Sequence, residues 1–337
     1  MKNNSILSWL DIGKLICALG ILYPHTEPLR QVCPWANCIL LCFTHVGVPV
    51  FFLLSGFLAT DAGKEPEAPM GTGRAMHLVC RVLRLYLVWG VPCAVIYAVW
   101  GPGVWQAGEE LLFGIGHLWF LTGIMQIAVF LCVWQSFFSC RYLLLISAAC
   151  FVASTFLSTY TGIVTAGAGP FYWHVMRSGL LYGMVFFLLG RYLRSSKAKG
   201  FIQAAPRLLL PAVLLQMAEV LAVVYCHGYD GRYDFFLGQL LLAPVYAACL
   251  LAMPVPAWCS AGVSLFMRRL STLFYCMHGL LVICWWLPGG IYTAMLAART
   301  GIDVNVLAFC IIGTLSLVLS CLAAWGRIFC RRLDWLM

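Results

Sequence analysis

Trp9 to Glu27 reads WLDIGKLICALGILYPHTE, an apolar run of membrane-spanning length that carries Asp11, Lys14, His25 and Glu27. Ionisable groups in hydrocarbon are costly unless they are paired or put to use. Eleven steps separate Lys14 from His25. At about 100° and roughly 1.5 Å per step the two share one helix face, roughly 16 Å apart along the axis. In a hydrocarbon core about 30 Å thick, that stripe sets a cation near one side of the membrane and an imidazole well toward the other.

The chain around this run has 337 residues, is 63% hydrophobic and only 10% charged, and has a mean hydropathy of +0.92. A water-soluble domain is about 25% charged, so that class is excluded and the chain is a polytopic membrane protein. No small-residue cleavage site follows the first run and many similar runs succeed it, so it is not read as a cleaved signal. The 17 cysteines lie mostly in apolar runs, as Cys132, Cys150, Cys249 and Cys310 do. There cysteine behaves as a small hydrophobe, and free packed thiols are expected. With no CxxC pair and no clustered ligand spacing, no metal is expected.

About ten spans can be drawn, at 9–27, 37–60, 82–100, 116–137, 143–163, 173–193, 208–227, 235–253, 270–288 and 303–325. The expected fold is an all-α membrane helix bundle, a single transmembrane domain over 1–337 with no soluble domain. With the N-terminus inside, the cytoplasmic side holds Lys64, Arg74, Arg81, Arg84, Arg141, Arg191, Arg194, Lys197, Lys199, Arg207, Arg268, Arg269, Arg327, Arg331 and Arg332. The other side keeps Arg30, Arg177, Arg232 and Arg299 beside the acids Glu109, Glu110, Asp230 and Asp234. The positive-inside rule then places both termini in the cytoplasm, with Asp61 to Arg74 a cytoplasmic loop. Topology and anionic headgroups account for the formal charge of +9, so no nucleic-acid partner is expected.

That orientation sorts the histidines. His25, His45, His117, His174 and His227 lie toward the outer leaflet, His278 near the middle of its span, and His77 in a cytoplasmic loop. Any one of them alone reads as an interfacial or core histidine satisfied by a carbonyl. The set points to a cavity or pathway, on which polar groups inside a bundle converge. Arg177, in FYWHVMRSGLLYG, reads equally as an interface anchor and as a fixed cation beside a reaction centre. Lys14 either snorkels, pairs with Asp11 at i, i+3, or faces the bundle interior beneath His25. Ser55, in FFLLSGFLA, reads as part of a close-packing Ser-Gly pair rather than as a nucleophile.

At these residues the sequence resembles the acyltransferase-3 family of integral membrane acyltransferases, over nearly its whole length. Members carry a basic residue, ten intervening residues and then His on the first helix. Here these are Lys14 and His25 in DIGKLICALGILYPHTEPL, with Lys where most members have Arg. Further similar stretches follow in order: GVPVFFLLSGFLA (Gly47 to Ala59), RVLRLYLVW (Arg81 to Trp89), GHLWFL (Gly116 to Leu121), MRSGLLYGMVFFLLG (Met176 to Gly190) and STLFYCMHGLLV (Ser271 to Val282). KLICALGILYPHTEP is especially similar to the Lys-type subgroup that includes the membrane half of vancomycin-resistance serine racemases. His45, in FTHVGVPVFF, stands where many members have Arg.

The resemblance implies transfer of an acyl group, usually acetyl, from cytoplasmic acyl-CoA (acetyl-CoA) to a hydroxyl of a sugar, peptidoglycan or other envelope, lipid-linked or exported acceptor. It implies His25 as general base or transient acyl carrier, with Lys14, Arg177 and His45 answering the oxyanion or orienting the donor. His117, His278, His174 and Glu27 are then acceptor-binding candidates. Arg81, Arg84, Arg268 and Arg269, at the cytoplasmic rim, either meet the CoA phosphates or only set topology. Two other classes fit the same polar stripe. A transporter of a small polar solute such as an amino acid would show paired repeats with broken helices in matching positions, and no such pair is visible. A structural or partner-binding subunit requires the stripe to be incidental.

Overall fold

The computed structural model describes residues 2–61, 70–101, 103–135, 137–161, 170–228, 235–254, 258–287 and 289–326, with backbone alone for residues 2–7, 42, 170, 171, 173 and 291. Lys64, Asp230, Arg232, Asp234, Arg327, Arg331 and Arg332, and most of the loop from Asp61 to Arg74, lie outside the described residues. Among the described residues the secondary structure is helical, without strands: α1 (Lys2–Thr26), α2 (Pro34–His45), α3 (Gly47–Leu58), α4 (Thr72–Trp100), α5 (Val104–Phe113), α6 (Trp119–Trp134), α7 (Cys140–Thr155), α8 (Pro170–Met176), α9 (Met184–Arg194), α10 (Lys199–His227), α11 (Gln239–Ala252), α12 (Ala261–Trp286), α13 (Gly290–Thr300) and α14 (Val304–Gly326).

Among the described residues, six helical stretches are long and apolar enough to cross a membrane: Pro34–Leu58, Thr72–Trp100, Val104–Trp134, Cys140–Tyr160, Ser196–His227 and Val304–Gly326. The chain is thus an all-helical, multi-pass membrane protein. α1 and α12 have comparable length, 25 and 26 residues. They interrupt their apolar runs with Asp11, Lys14 and His25 and with Arg268, Arg269 and His278.

Three expected spans are built differently. Residues 37–60 divide into α2 and α3 at Val46. Residues 173–193 divide after Arg177: α8 ends at Met176, Ser178 is extended (φ −59°, ψ 150°), and a π-helical turn over Gly179–Gly183 leads into α9. The break has a packing cause. A Cβ on Gly179 would lie 2.1 Å from the Gly123 carbonyl oxygen, so the two backbones touch, and Gly179 N–H donates to Gln126 Oε1 at 2.8 Å. A side chain of α6 thus takes over a bond the helix gives up. Residues 116–137 begin with a 3-10 turn, Gly116–Leu118, before α6 starts at Trp119. Gly114 (φ 123°) and Gly116 (φ 52°) adopt conformations natural only to glycine, and they end α5 and open this turn.

The helices form two compact units. The first comprises Met1–Thr44, Arg84–Leu118 and Val255–Met337. Its core lies between α1, α12 and α14, where Leu10, Ala18, Leu22, Leu273, Cys276, Ala308 and Ile312 are buried. α1 and α12 run parallel, since Asp11 meets Ser264 and Arg268 at one end while His25 meets His278 toward the other.

The second unit comprises His45–Leu83 and Trp119–Pro254. Here α3 and α9 run antiparallel at backbone contact. A Cβ on Gly56 would lie 1.9 Å from the Phe187 carbonyl oxygen, and one on Gly190 1.8 Å from that of Leu53. Small residues that admit such approach are the usual means of joining helices in lipid. Ser55 donates to Phe51 O at 2.7 Å, which agrees with its close-packing reading.

Candidate active site

Three histidines from separate parts of the sequence meet in the first unit. His25 sits in the last turn of α1, His117 on the 3-10 turn and His278 on α12. Ring centroids are 4.9 Å apart for His117 and His278, 5.6 Å for His25 and His278, and 6.2 Å for His25 and His117. His117 is 5% and His278 0% exposed, while His25 is half-buried. His25 is therefore the most exposed ring of the three.

The buried pair is held by α12. His278 Nδ1 lies 2.9 Å from Phe274 O. A carbonyl only accepts, so the proton of the neutral ring is on Nδ1 and the lone pair on Nε2. Tyr275 donates its hydroxyl to His117 O at 2.5 Å. Gly279 leaves the room that the His117 ring fills, for a Cβ there would lie 1.7 Å from His117 Cε1. Nε2 of His117 and Nε2 of His278 are buried without a hydrogen-bond partner among the described residues. Buried polar atoms are rarely left so. Chemically, the cluster offers one accessible imidazole able to take a proton from a hydroxyl, backed by two ring nitrogens available to a polar group bound beside it.

The far end of the same helix pair is ionic. Arg268 donates from Nε to Asp11 Oδ1 and from Nη2 to Asp11 Oδ2, both at 3.0 Å, and Ser264 Oγ donates to Oδ2 at 2.6 Å. The Asp11 side chain is 2% exposed and that of Arg268 38%. This forked pairing is the strong form of the contact. It answers the charge of Asp11 from α12, a partner the sequence reading did not name. Lys14 is half-buried on α1, between this pair and His25.

The remaining assigned residues are spread through the structure. Glu27 follows α1 with φ 42°. It accepts from Asn37 Nδ2 at 3.2 Å and lies 3.8 Å from Arg30, while Tyr23 donates to Asn37 Oδ1 at 2.9 Å. His45 ends α2, and His174 lies on α8. The Arg177 guanidinium lies 5.7 Å from the Trp119 ring centroid, within cation–π range; these three belong to the second unit. Arg81 and Arg84 are exposed on α4, and Arg269 is half-buried on α12. The structure thus brings His25, His117 and His278 together and gives Arg268 to Asp11.

Tyr275, Gly279, Asn37 and Ser264 escaped the sequence reading. The first two had a usable signal. Tyr275, His278 and Gly279 stand at i, i+3 and i+4, on one helix face. Among the described residues no group of His, Cys, Asp and Glu is arranged to hold a metal ion.

A family model described as an acyltransferase domain matches residues 7–325, taking in α1, the His117 turn and α12. Neither the curated proteins nor the solved structures compared with the chain match it.

Proposed function

The chain belongs to the acyltransferase-3 family, and from that premise we propose that this membrane acyltransferase moves an acetyl group from cytoplasmic acyl-CoA to a hydroxyl of an envelope glycan or other exported acceptor. The observation that carries the reading is the histidine cluster: a half-buried imidazole on α1 backed by two buried ones.

His25 takes the proton of the acceptor hydroxyl, and the oxygen attacks the thioester carbonyl carbon. The tetrahedral oxyanion collapses, the C–S bond breaks, and the departing CoA thiolate takes the proton back. In a two-step variant the same ring carries the acyl group. His117, His278, His174 and Glu27 bind the acceptor. The resemblance gives Lys14, Arg177 and His45 the task of answering the oxyanion or orienting the donor, and Arg81, Arg84, Arg268 and Arg269, at the cytoplasmic rim, either meet the CoA phosphates or only set topology. In this reading about ten spans cross the cell membrane and both termini are cytoplasmic.

Protein in proteoliposomes is expected to consume acetyl-CoA when given an acceptor. Mass spectrometry of envelope glycans with and without the gene product should reveal the acetyl mass on the acceptor. Uptake of a labelled amino acid with no thioester cleavage would instead make the chain a transporter.

A further inference from the structure

The His117 ring owes its place to a support outside the reactive cluster. The residue sits on a single 3-10 turn, Gly116–Leu118, entered through Gly114 at φ 123° and opened by Gly116 at φ 52°. Such a turn lacks the continuous hydrogen-bond ladder that orients a residue within an α-helix. Two tyrosines supply the bonds instead. Tyr86, on α4, donates to Leu111 O at 2.6 Å and accepts from Ile115 N–H at 3.2 Å, spanning the break at Gly114. Tyr275, on α12, donates to His117 O itself. Its ring centroid is 5.3 Å from that of His117 and 5.9 Å from that of His278.

We infer that Tyr275 is a positioning residue for the acyl transfer: its hydroxyl holds the His117 main chain so that the ring fills the space left by Gly279 and faces His278 and His25. Tyr275, His278 and Gly279 act from one face of α12 as three points of contact on one turn. A rotation of the turn would move the His117 ring away from both partners, and misplacement of about 1 Å in a reacting constellation costs roughly a hundredfold in rate. The inference rests on the acyltransferase reading for its rate, and on geometry alone for the place of His117.

Tyr275→Phe removes the hydroxyl while keeping the ring, so the core stays filled. In proteoliposomes it is expected to lower kcat roughly a hundredfold with the KM for acetyl-CoA unchanged. In a His117→Ala background the same change is expected to have little further effect, because residues acting through one another are not additive. Diethyl pyrocarbonate labelling read by mass spectrometry is expected to find His117 protected in the wild type and modified in Tyr275→Phe. An equal loss of kcat with and without His117, or unchanged turnover with His117 still protected, would overturn the inference. If wild-type protein cleaves no thioester, the acyl-CoA reading falls and the labelling pattern still decides whether Tyr275 holds His117. Tyr86→Phe, which keeps the Tyr275 bond, is expected to give a smaller loss in the same direction.

Discussion

Two helix pairs, α1 with α12 and α3 with α9, join helices in lipid by opposite means. The α3–α9 pair is antiparallel and held by backbone contact: Gly56 lies on Phe187 and Gly190 on Leu53. Its tolerance is steric. The α1–α12 pair is parallel and meets through polar groups, with Asp11 between Ser264 and Arg268 at one end and His25 against His278 at the other. Polar contacts inside a membrane bundle add only modestly to stability. The contrast sets a steric seam beside a polar one, and the histidine cluster lies on the polar one.

The sharpest test of that contrast is His25→Ala, expected to reduce acyl transfer about a thousandfold with thermal unfolding in detergent unchanged. A large stability loss with activity per folded molecule intact would make the polar seam a scaffold after all. Next in size, Gly190→Ala should destabilise the fold by about 3 kcal/mol, since the added methyl meets a backbone carbonyl that cannot yield. The readout is the detergent unfolding midpoint, and an unchanged midpoint would contradict the antiparallel contact. Asp11→Asn, which weakens the forked bond while Arg268 keeps some solvent, should cost about 1–2 kcal/mol. Restored stability in Asp11→Asn/Arg268→Gln would confirm that the two act as a pair. Smallest is Arg84→Gln on the exposed face of α4. It is expected to raise the KM for acetyl-CoA about threefold without changing kcat, a surface contribution under about 1 kcal/mol. A fall in kcat instead would move Arg84 from phosphate binding to the reaction centre.

Much of the site was legible because its clues are local. Lys14 and His25 share a face through helical periodicity alone; the runs at 208–227 and 303–325 lie in stretches long and apolar enough to cross a membrane, while 235–253 and 270–288 fall largely on the helices α11 and α12. Where expected spans are built differently, the local helix is interrupted. The run 173–193 is apolar enough for one helix, yet Gly123 and Gln126 on α6 break it beside Arg177. The run 116–137 lies mostly within Val104–Trp134, a stretch long and apolar enough to cross a membrane, but it opens with a 3-10 turn at Gly116–Leu118 that carries His117.

By itself the sequence determined that this is an all-helical membrane protein of the acyltransferase-3 family, with a cation and an imidazole aligned on its first helix. Those conclusions depend on composition, on periods of a few residues and on motif order, all written along the chain. Only the tertiary structure decided which histidines join His25, and it chose His117 and His278. It also decided that Asp11 is answered by Arg268 and that Tyr275 and Gly279 set the place of a ring from another segment. Those outcomes join residues about ninety or more positions apart in the chain. They depend on how helix surfaces fit, and no local period encodes that.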